Sequence, residues 1–376
     1  MTDERALYSG LQHNRSIQKL HFTGPLPGIF GFVHPSNKFW EENTNLVELS
    51  LNGLELGRQE IMKTLCPVIA TKTKNLVSLE ITHCWSLDGD CFLGEDDGLF
   101  STFLRALSNM DHSLKRLELQ GNAIGLTSMN KLVRTIQRWH PDLEELNLQD
   151  NIIGYLSCSA LASLLRDPTV RLSNLDLWSC SMNDDCALLL ADALRHNNSL
   201  QFVNLRENNL TVDGGWKAFS TLLCSRASIV ETFSSNHTLE CLVVSDDELL
   251  VGHFLALNLS DDKRAVAMNK VVKFHLGELL AITGMKLLPN IMTSIGAKQK
   301  DSCHKSFSRD LLSAMFSIVR NTPALFQYVD SNDKQDVFDI ANRLEKMSFI
   351  PQLKEGTVAD LTVTAALHRG LYITYS

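Results

Sequence analysis

A motif of the form L-x-x-L-x-L recurs along the chain at an almost constant spacing, and this repeat constrains the fold more than any other feature. Four successive copies start 29, 29 and 28 residues apart, at Leu114, Leu143, Leu172 and Leu200. Weaker copies start at Ile17, Leu46, Leu76 and Leu239. One unit of this length cannot bury its own apolar side chains, so the copies are predicted to stack around a continuous core.

The ninth position of the motif is also patterned, since it holds Cys84, Asn122, Asn151, Cys180 and Asn208. The chain must leave the strand there, and a buried Asn can hydrogen-bond the backbone groups that the turn exposes. Cys is small, readily buried and a weak donor, so it can take the place of Asn. An amphipathic helix follows, with apolar residues four apart, such as Leu132 and Ile136. Each copy therefore predicts a strand, a turn and a helix.

The pattern, the alternation of Asn and Cys, and the period resemble the ribonuclease-inhibitor-like leucine-rich-repeat (LRR) family over about residues 1–258. This resemblance implies an α/β fold, a right-handed solenoid of about eight repeats. Because helices need more room than strands, the stack is predicted to curve into a horseshoe, with parallel strands on the concave face and helices outside.

Some segments depart from the pattern. Pro25 and Leu54 stand at ninth positions where Asn or Cys is expected. An acidic insertion at 88–97 lacks the spacing of an EF-hand calcium loop, so a solvated loop is expected there. A second insertion leaves two alternatives open, because Ile229 lies 29 residues after Leu200 while Leu239 begins the better motif. Either residue would start the last repeat.

The repeat stops after about residue 258, and residues 259–376 are predicted to form a helical region. A helix at 262–276 is expected to follow the N-cap sequence Ser260-Asp261-Asp262, with Lys263, Arg264, Lys270 and Lys273 opposite an apolar face. Further helices are predicted at about 285–295, 306–320 and 334–347. We interpret this region as a cap over the last repeat, and a separate docking module is the alternative.

Composition and charge narrow the class of protein. The net charge of −8 disfavours nucleic acid and anionic membrane, which both favour basic surfaces. No apolar run reaches the length of a membrane span, and the polar N-terminus does not resemble a signal peptide. Nine cysteines without a C-x-x-C motif are typical of reduced thiols. A cytoplasmic protein without membrane insertion is therefore expected.

The sequence carries no motif of an enzyme active site. It lacks a P-loop, an H-E-x-x-H zinc motif, a G-x-S-x-G elbow and the kinase motifs. Cys303 and His304 are neighbours in a polar segment, and sequence neighbours rarely face each other productively. None of the twelve His residues has metal-ligand spacing. We therefore predict a protein that is not an enzyme and has no cofactor or metal.

The residues between the leucines alternate to the other face of each strand, so they are predicted to line the concave face in columns. Nine of them are predicted to bind a partner protein: Glu80, Glu118, Glu145, Gln149, Asp176, Trp178, Phe202, Asn204 and Arg206. Glu80 and Glu118 should repel each other, which a basic partner would relieve. The alternative is that screened carboxylates near Arg116 cost little and have no such role.

Trp178 and Phe202 are expected to point away from the core, and Arg206 to lie beside Trp178, with a cation–π contact as one way to hold the pair. The alternative is that C-terminal helices or the insertion after Asn209 cover them. The predicted function is a protein-recognition scaffold or adaptor. A GTPase-activating or other regulatory LRR protein and a structural subunit of a larger assembly are the alternatives.

Overall fold

The computed structural model describes residues 10–11, 13–24, 34, 37–54, 59–84, 98–243, 252–271 and 274. The chain forms two compact units, one of Met1–Cys224 with Asn236–Asp261 and one of Ser225–Ser235 with Asp262–Ser376. The ninth-position residue Pro25, the acidic insertion, Cys303, His304 and the helices predicted after residue 276 lie outside the described residues. The predicted domain boundary at residue 258 stays a prediction.

The first unit contains an eight-stranded parallel sheet in which the strands follow one another in chain order. The strands are β1 (Lys19–Thr23), β2 (Glu48–Asn52), β3 (Ser78–Thr82), β4 (Arg116–Glu118), β5 (Glu145–Asn147), β6 (Asn174–Asp176), β7 (Phe202–Asn204) and β8 (Cys241–Val243). Each strand pairs with the next strand along the chain. This order confirms an α/β fold with a parallel sheet and a solenoid-like arrangement of the repeats.

Helices alternate with the strands, because parallel neighbours need a crossover between them. In this unit they are α1 (Lys38–Glu42), α2 (Gln59–Thr71), α3 (Leu99–Ser108), α4 (Leu126–Trp139), α5 (Tyr155–Arg166), α6 (Asp184–Leu194), a π-helical turn (Val212–Trp216) with α7 (Lys217–Leu223), and α9 (Gly252–Asn258). From α2 to α6, each helix packs against the next. The helices therefore form a layer that follows the order of the strands.

The core lies between the strand leucines and the helix stripe. Leu117, Leu146 and Leu175, the central leucines of three strands, are at most 2% exposed. The helix residues Leu132 and Leu161, which lie on the predicted apolar stripe, are fully buried. Each such leucine contributes about 1.5–3 kcal/mol on burial, so the stacked motif supplies a continuous apolar core.

The structure resolves the alternative for the last repeat in favour of Leu239. Leu239 is buried, and the strand that follows it pairs Leu242 with Val203. Ile229 instead begins a helix of the other unit. The physical reason lies three residues before Leu239, where the Asn236 side chain accepts hydrogen bonds from the backbone N–H groups of Thr238 and Leu239. This side chain fixes the start of the strand.

Residues at the eighth position of the motif adopt a left-handed backbone conformation in seven successive repeats. They are Gly24, Gly53, His83, Gly121, Asp150, Ser179 and Glu207, with φ between 51° and 80°. Glycine adopts this region without steric cost, whereas a residue with a side chain is strained there. Glycine therefore occupies this turn position in three repeats, and residues with a side chain adopt the strained conformation in the other four.

The ninth-position side chains join each turn to its neighbour. The Asn151 Oδ1 accepts hydrogen bonds from the N–H groups of Asn122 (3.2 Å) and Ile124 (2.9 Å) in the preceding repeat. Its Nδ2 donates to the carbonyls of Leu119, Leu148 and Gln149 at 2.9–3.1 Å. These bonds confirm that a buried Asn satisfies the backbone of the turn.

Cysteine at the ninth position donates hydrogen bonds to carbonyls at equivalent positions of the repeat. The Cys84 thiol donates to the carbonyls of Leu51 (3.2 Å) and Thr82 (3.1 Å), and the Cys180 thiol donates to that of Leu148 (3.1 Å). Burial raises the pKa of both thiols to about 12, so they keep the proton that they donate. Cysteine thus replaces the donor half of the Asn side chain.

The buried side chain of His140 binds backbone groups near the beginning of a strand. His140 is 1% exposed, its Nδ1 accepts a bond from the Leu114 N–H (3.2 Å), and its Nε2 lies 3.1 Å from the Leu107 carbonyl oxygen. This pattern requires the neutral ring with its proton on Nε2. Burial lowers the pKa of His140, in agreement with that requirement.

The second unit contains α8 (Ile229–Phe233) and α10 (Lys263–Val271), which pack against each other. The Asp262 side chain accepts a bond from the Ala265 N–H, so the predicted N-cap is confirmed. Lys270 was predicted on the basic face, but it is fully buried. The reason is its spacing of four residues from buried Val266, which places both on one side of the helix.

Among the residues that the structure describes, no helix is both long enough and apolar enough to cross a lipid bilayer.

Replacing Asn151 tests the turn bonds. We expect Asn151→Ala to lower the free energy of unfolding by about 2–4 kcal/mol, because two N–H groups and several carbonyls lose their partner. Asn151→Cys should lose less, because a thiol still donates to the carbonyls. Urea unfolding of both variants and the wild type measures this difference. Equal stability of the three proteins would contradict the role of the side chain.

The pH dependence of stability tests His140. Its pKa is lowered from 6.5 in the folded protein, so the unfolded state binds more protons once the pH falls below about 6.5. The contribution of the neutral His140 to the free energy of unfolding should therefore be fully present above that pH and should decrease as the pH falls. His140→Asn, which places an uncharged side chain there, should show a weaker decrease between about pH 8 and pH 5 in urea unfolding. Parallel curves would show that other groups cause the effect.

Candidate functional site on the polar face of the sheet

The strand register brings the predicted columns together. The fifth positions of the motif pair in the order Ser50, Glu80, Glu118, Asn147, Asp176, Asn204, Val243. The third positions pair in the order Glu48, Ser78, Arg116, Glu145, Asn174, Phe202, Cys241. We call the surface formed by the third, fifth and seventh positions the polar face. All nine predicted site residues lie on it, Arg206 exposed and the others half-buried.

Glu80 and Glu118 are direct neighbours on β3 and β4, as the sequence predicts. Burial raises the pKa of Glu118, and the adjacent carboxylate of Glu80 raises it further. A hydrogen bond from Asn147 and the charge of Arg116 act in the opposite direction. The pair therefore concentrates negative charge at a place that is only half accessible to water.

Glu145 does not extend this negative charge. Arg116 binds it through two parallel hydrogen bonds, Nε to Oε2 at 2.5 Å and Nη2 to Oε1 at 3.1 Å. This fork geometry neutralises both side chains and fixes their orientation. Among the predicted binding carboxylates, Glu145 is consequently neutralised, and the Glu80–Glu118 pair supplies the negative charge of β3 and β4.

Asn and Asp at the fifth position have a structural role that the sequence analysis missed. The side chains of Asp176 and Asn204 accept hydrogen bonds from the N–H groups of Trp178 (3.0 Å) and Arg206 (3.1 Å), two residues later. Asn204 Nδ2 also donates to Asp176 Oδ2 at 3.1 Å, which links the two repeats. The sequence carries a sign of this role, because an Asn or Asp stands two residues before the residue whose N–H it binds, a spacing typical of Asx turns.

Trp178, Phe202 and Arg206 form the aromatic end of the polar face. Trp178 and Phe202 are both half-buried, and Arg206 is exposed with its Nε 3.7 Å from Glu207 Oε1. The suggested cation–π contact between Trp178 and Arg206 does not form. In the described part of the chain such contacts join Arg138 to Trp139 and Arg226 to Phe274. Arg206 is thus oriented by a carboxylate rather than by the indole ring.

The N-terminal end of the polar face holds a cluster that the sequence analysis did not single out. Lys19 Nζ lies 2.7 Å from Glu48 Oε2, and His21 Nε2 lies 3.2 Å from Glu48 Oε1. The hydrogen bond from Lys19 lowers the pKa of Glu48. The polar face therefore changes from paired charges at β1–β2, through the Glu80–Glu118 pair, to aromatic side chains at β6–β7. His, Cys, Asp and Glu in the described ranges form no group of three able to hold a metal ion.

Comparison with known proteins points to leucine-rich repeats. No family model matches the chain. Over 198 residues it is 31% identical to NACHT, LRR and PYD domains-containing protein 3 of Bos taurus, a match that covers 52% of this chain and 18% of that protein. Over 244 residues it is 27% identical to NACHT, LRR and PYD domains-containing protein 4C of Mus musculus, covering 64% and 20%. The chain thus spans about a fifth of these relatives.

One solved structure, Leiomodin-1 Actin-Binding Site 2 (ABS2), aligns with 47% of this chain and 93% of its own length, at 18% identity and a TM-score of 0.32.

Two matched substitutions distinguish the repelled carboxylate of Glu118 from the paired carboxylate of Glu145. We expect Glu118→Gln to raise the free energy of unfolding at neutral pH by up to about 1 kcal/mol, because it removes the repulsion from Glu80. Glu145→Gln should lower it by about 0.5 kcal/mol, because Arg116 loses its partner. Urea unfolding measures both.

The gain from Glu118→Gln should also depend on pH. The pKa of Glu118 is raised above 4.5 in the folded protein, so the folded state binds more protons than the unfolded state just above that pH. The wild type therefore loses stability as the pH rises through this range, and the advantage of Gln fades as the pH falls to 4.5. A constant difference at all pH values would contradict this electrostatic cause.

Proposed function

We propose that this chain is a leucine-rich-repeat protein of the ribonuclease-inhibitor-like kind that recognises a partner protein and has no catalytic activity of its own. The binding surface is the polar face, on the concave side of a right-handed curved solenoid. The observation that carries the proposal is the strand register, which collects charged, amide and aromatic side chains from successive repeats on one half-buried surface. Such mixed surfaces are typical of protein interfaces.

The aromatic end of the polar face supplies the anchors. Trp178 and Phe202 come from neighbouring repeats and remain partly accessible to solvent. Tryptophan and arginine are enriched among the residues that dominate binding energy. The Asx bonds from Asp176 and Asn204 fix the backbone of Trp178 and Arg206. A fixed backbone reduces the entropy that binding must remove, which favours affinity.

The Glu80–Glu118 pair indicates the charge of the partner. A lysine or arginine placed between the two carboxylates would relieve their repulsion and satisfy the half-buried Glu118. We therefore propose a partner with a basic surface patch and no nucleic acid in this role. Electrostatic complementarity of this kind mainly sets the association rate and the specificity.

We also propose a role for the C-terminal residues and a location for the protein, both from the sequence. Residues 259–376 are proposed as a helical cap of the repeats, and the protein is proposed to act in the cytoplasm without a cofactor. Both curated relatives have an LRR domain in their names, together with NACHT and PYD domains. This supports a recognition or regulatory role for the repeats in this chain.

The experiment compares three forms of the full chain in affinity purification from the source cells, followed by calorimetry with the purified partner. The Trp178→Ala/Arg206→Glu variant should lose the partner, with Kd increased at least about 100-fold, because two anchors are removed. The Arg138→Glu/Trp139→Ala variant is the matched control, since it changes the same residue types on α4, and it should bind like the wild type.

Three other outcomes would redirect the proposal. Retention of the same partners by the Trp178→Ala/Arg206→Glu variant would place the binding surface elsewhere. Stimulated nucleotide hydrolysis by a captured GTPase would favour an activator, and a complex of fixed stoichiometry would favour a structural subunit.

A further inference from the structure

A group of exposed apolar side chains lies at the start of the helices, away from the polar face of the sheet. Six of the ten large apolar residues that are exposed in the described ranges belong to it, so their exposure is concentrated in one region. We call this group the apolar edge: Leu126, Ile152, Tyr155, Leu156, Leu188 and Val212. Between 36% and 59% of each residue is exposed.

The repeat places these residues along one edge of the helix layer. Leu126, Tyr155 and Val212 occupy the same position of the repeat, twelve residues after Leu114, Leu143 and Leu200. Asp184 occupies this position in the repeat that starts at Leu172, and Leu188 follows one helical turn later. Leu126 and Tyr155 are the first residues of α4 and α5, and Val212 begins the π-helical turn.

A close contact joins the first turn of α6 to the π-helical turn. Asp184, the first residue of α6, accepts hydrogen bonds from the Thr211 N–H (2.8 Å) and the Gly215 N–H (2.7 Å) of the next repeat. A Cβ at Gly214 would lie 2.2 Å from Asp184 Oδ2, so glycine is required there for this close approach. The starts of α6 and of the π-helical turn are therefore direct neighbours.

The apolar edge is not needed for the core. Each helix already buries its stripe towards the strands, through residues such as Met129, Leu161 and Leu190, which are at most 1% exposed. Leu156 and Leu188 instead lie on the outer side of α5 and α6, where polar side chains suffice for folding. Large apolar groups gain nothing from contact with water, and such a patch on a folded protein marks a binding surface.

Within the first four residues of these elements, the charges at the apolar edge are negative. The first four residues of α4, α5, α6 and the π-helical turn include no Lys or Arg, but they include Asp184, Asp185 and Asp213. The hydrogen bond from Thr211 lowers the pKa of Asp184, so this carboxylate is charged at neutral pH. A partner that covers the apolar edge must therefore combine apolar groups with positive charges.

The size of the apolar edge fits a helix. Neighbouring packed helices lie about 8–10 Å apart, so four successive repeats span about 27 Å. An α-helix of about 18 residues has that length. Its apolar stripe can lie along the six side chains while basic residues beside the stripe face Asp185 and Asp213.

We propose that the apolar edge is a second docking surface, which binds an amphipathic helix of a partner protein with Lys or Arg residues flanking its apolar stripe. This surface shares no residue with the polar face.

The test uses a fluorescein-labelled peptide of about 18 residues, made of Leu and Lys with helical periodicity, and an otherwise identical peptide of Leu and Glu. Fluorescence anisotropy with the full chain measures both. The Leu/Lys peptide should bind the wild type, and the Leu156→Ser/Leu188→Ser variant should bind it at least about tenfold more weakly. The Leu/Glu peptide should bind more weakly than the Leu/Lys peptide.

A matched control keeps the result specific. Val47→Ser/Val77→Ser removes two apolar side chains that are 37% and 40% exposed at the start of β2 and β3, and it should bind the Leu/Lys peptide like the wild type. Circular dichroism and thermal unfolding verify that each variant is folded. Asp185→Asn/Asp213→Asn should weaken binding of the Leu/Lys peptide and leave that of the Leu/Glu peptide unchanged or stronger.

Four results would overturn the proposal. They are absence of binding to the wild type, equal binding by the Leu156→Ser/Leu188→Ser variant and the Val47→Ser/Val77→Ser control, a dimer in light scattering that Leu156→Ser/Leu188→Ser dissociates, and binding to phosphatidylcholine vesicles that the same variant abolishes. The third result would assign the edge to a second copy of the chain, and the fourth to a lipid surface.

Discussion

The hydrogen bonds of the ninth-position side chains are the interaction on which the rest of this structure depends. A chain that ends a strand every 28 to 39 residues must repeatedly bury peptide groups that no strand or helix satisfies. Asn122, Asn151 and Asn208 satisfy them by reaching both the donors and the acceptors of the preceding repeat. Because several of these bonds join two repeats, the turn of one unit depends on the presence of its neighbour.

This dependence on neighbours also explains the variation within the series. Cys84 and Cys180 replace only the donor half of an Asn, and the backbone carbonyl of Cys180 accepts the Ile153 N–H. His140 takes a comparable place at the other end of the strand, where it joins the Leu107 carbonyl of α3 to the N–H of Leu114, two residues before β4. Different side chains are tolerated at these positions because the requirement is a bond at a given place, not a given residue.

A scaffold held in this way leaves its two surfaces free to diverge. On the polar face, some polar residues are used to build the sheet, since Asp176 and Asn204 hold the backbone and Arg116 neutralises Glu145. Glu80, Glu118, Trp178 and Phe202 are not required by the strands in this way. On the apolar edge, leucine, isoleucine and tyrosine occupy positions that the core does not use. We therefore infer that recognition, rather than folding, accounts for the residues that both surfaces expose.

The sequence by itself determined the parallel α/β repeat, the positions of the first seven strands and the columns of the polar face, because these follow from a motif that is visible in each copy. Tertiary structure alone decided that Arg116 binds Glu145, that Leu239 starts the last repeat, that His83 and Glu207 adopt positive φ, and that Lys270 is buried. The physical reason is that each of these depends on a side chain or backbone group in another repeat or helix. The pattern within one repeat predicts the strand, turn and helix of that repeat. The charge balance and the exposure of its side chains depend on the repeats and helices that pack beside it.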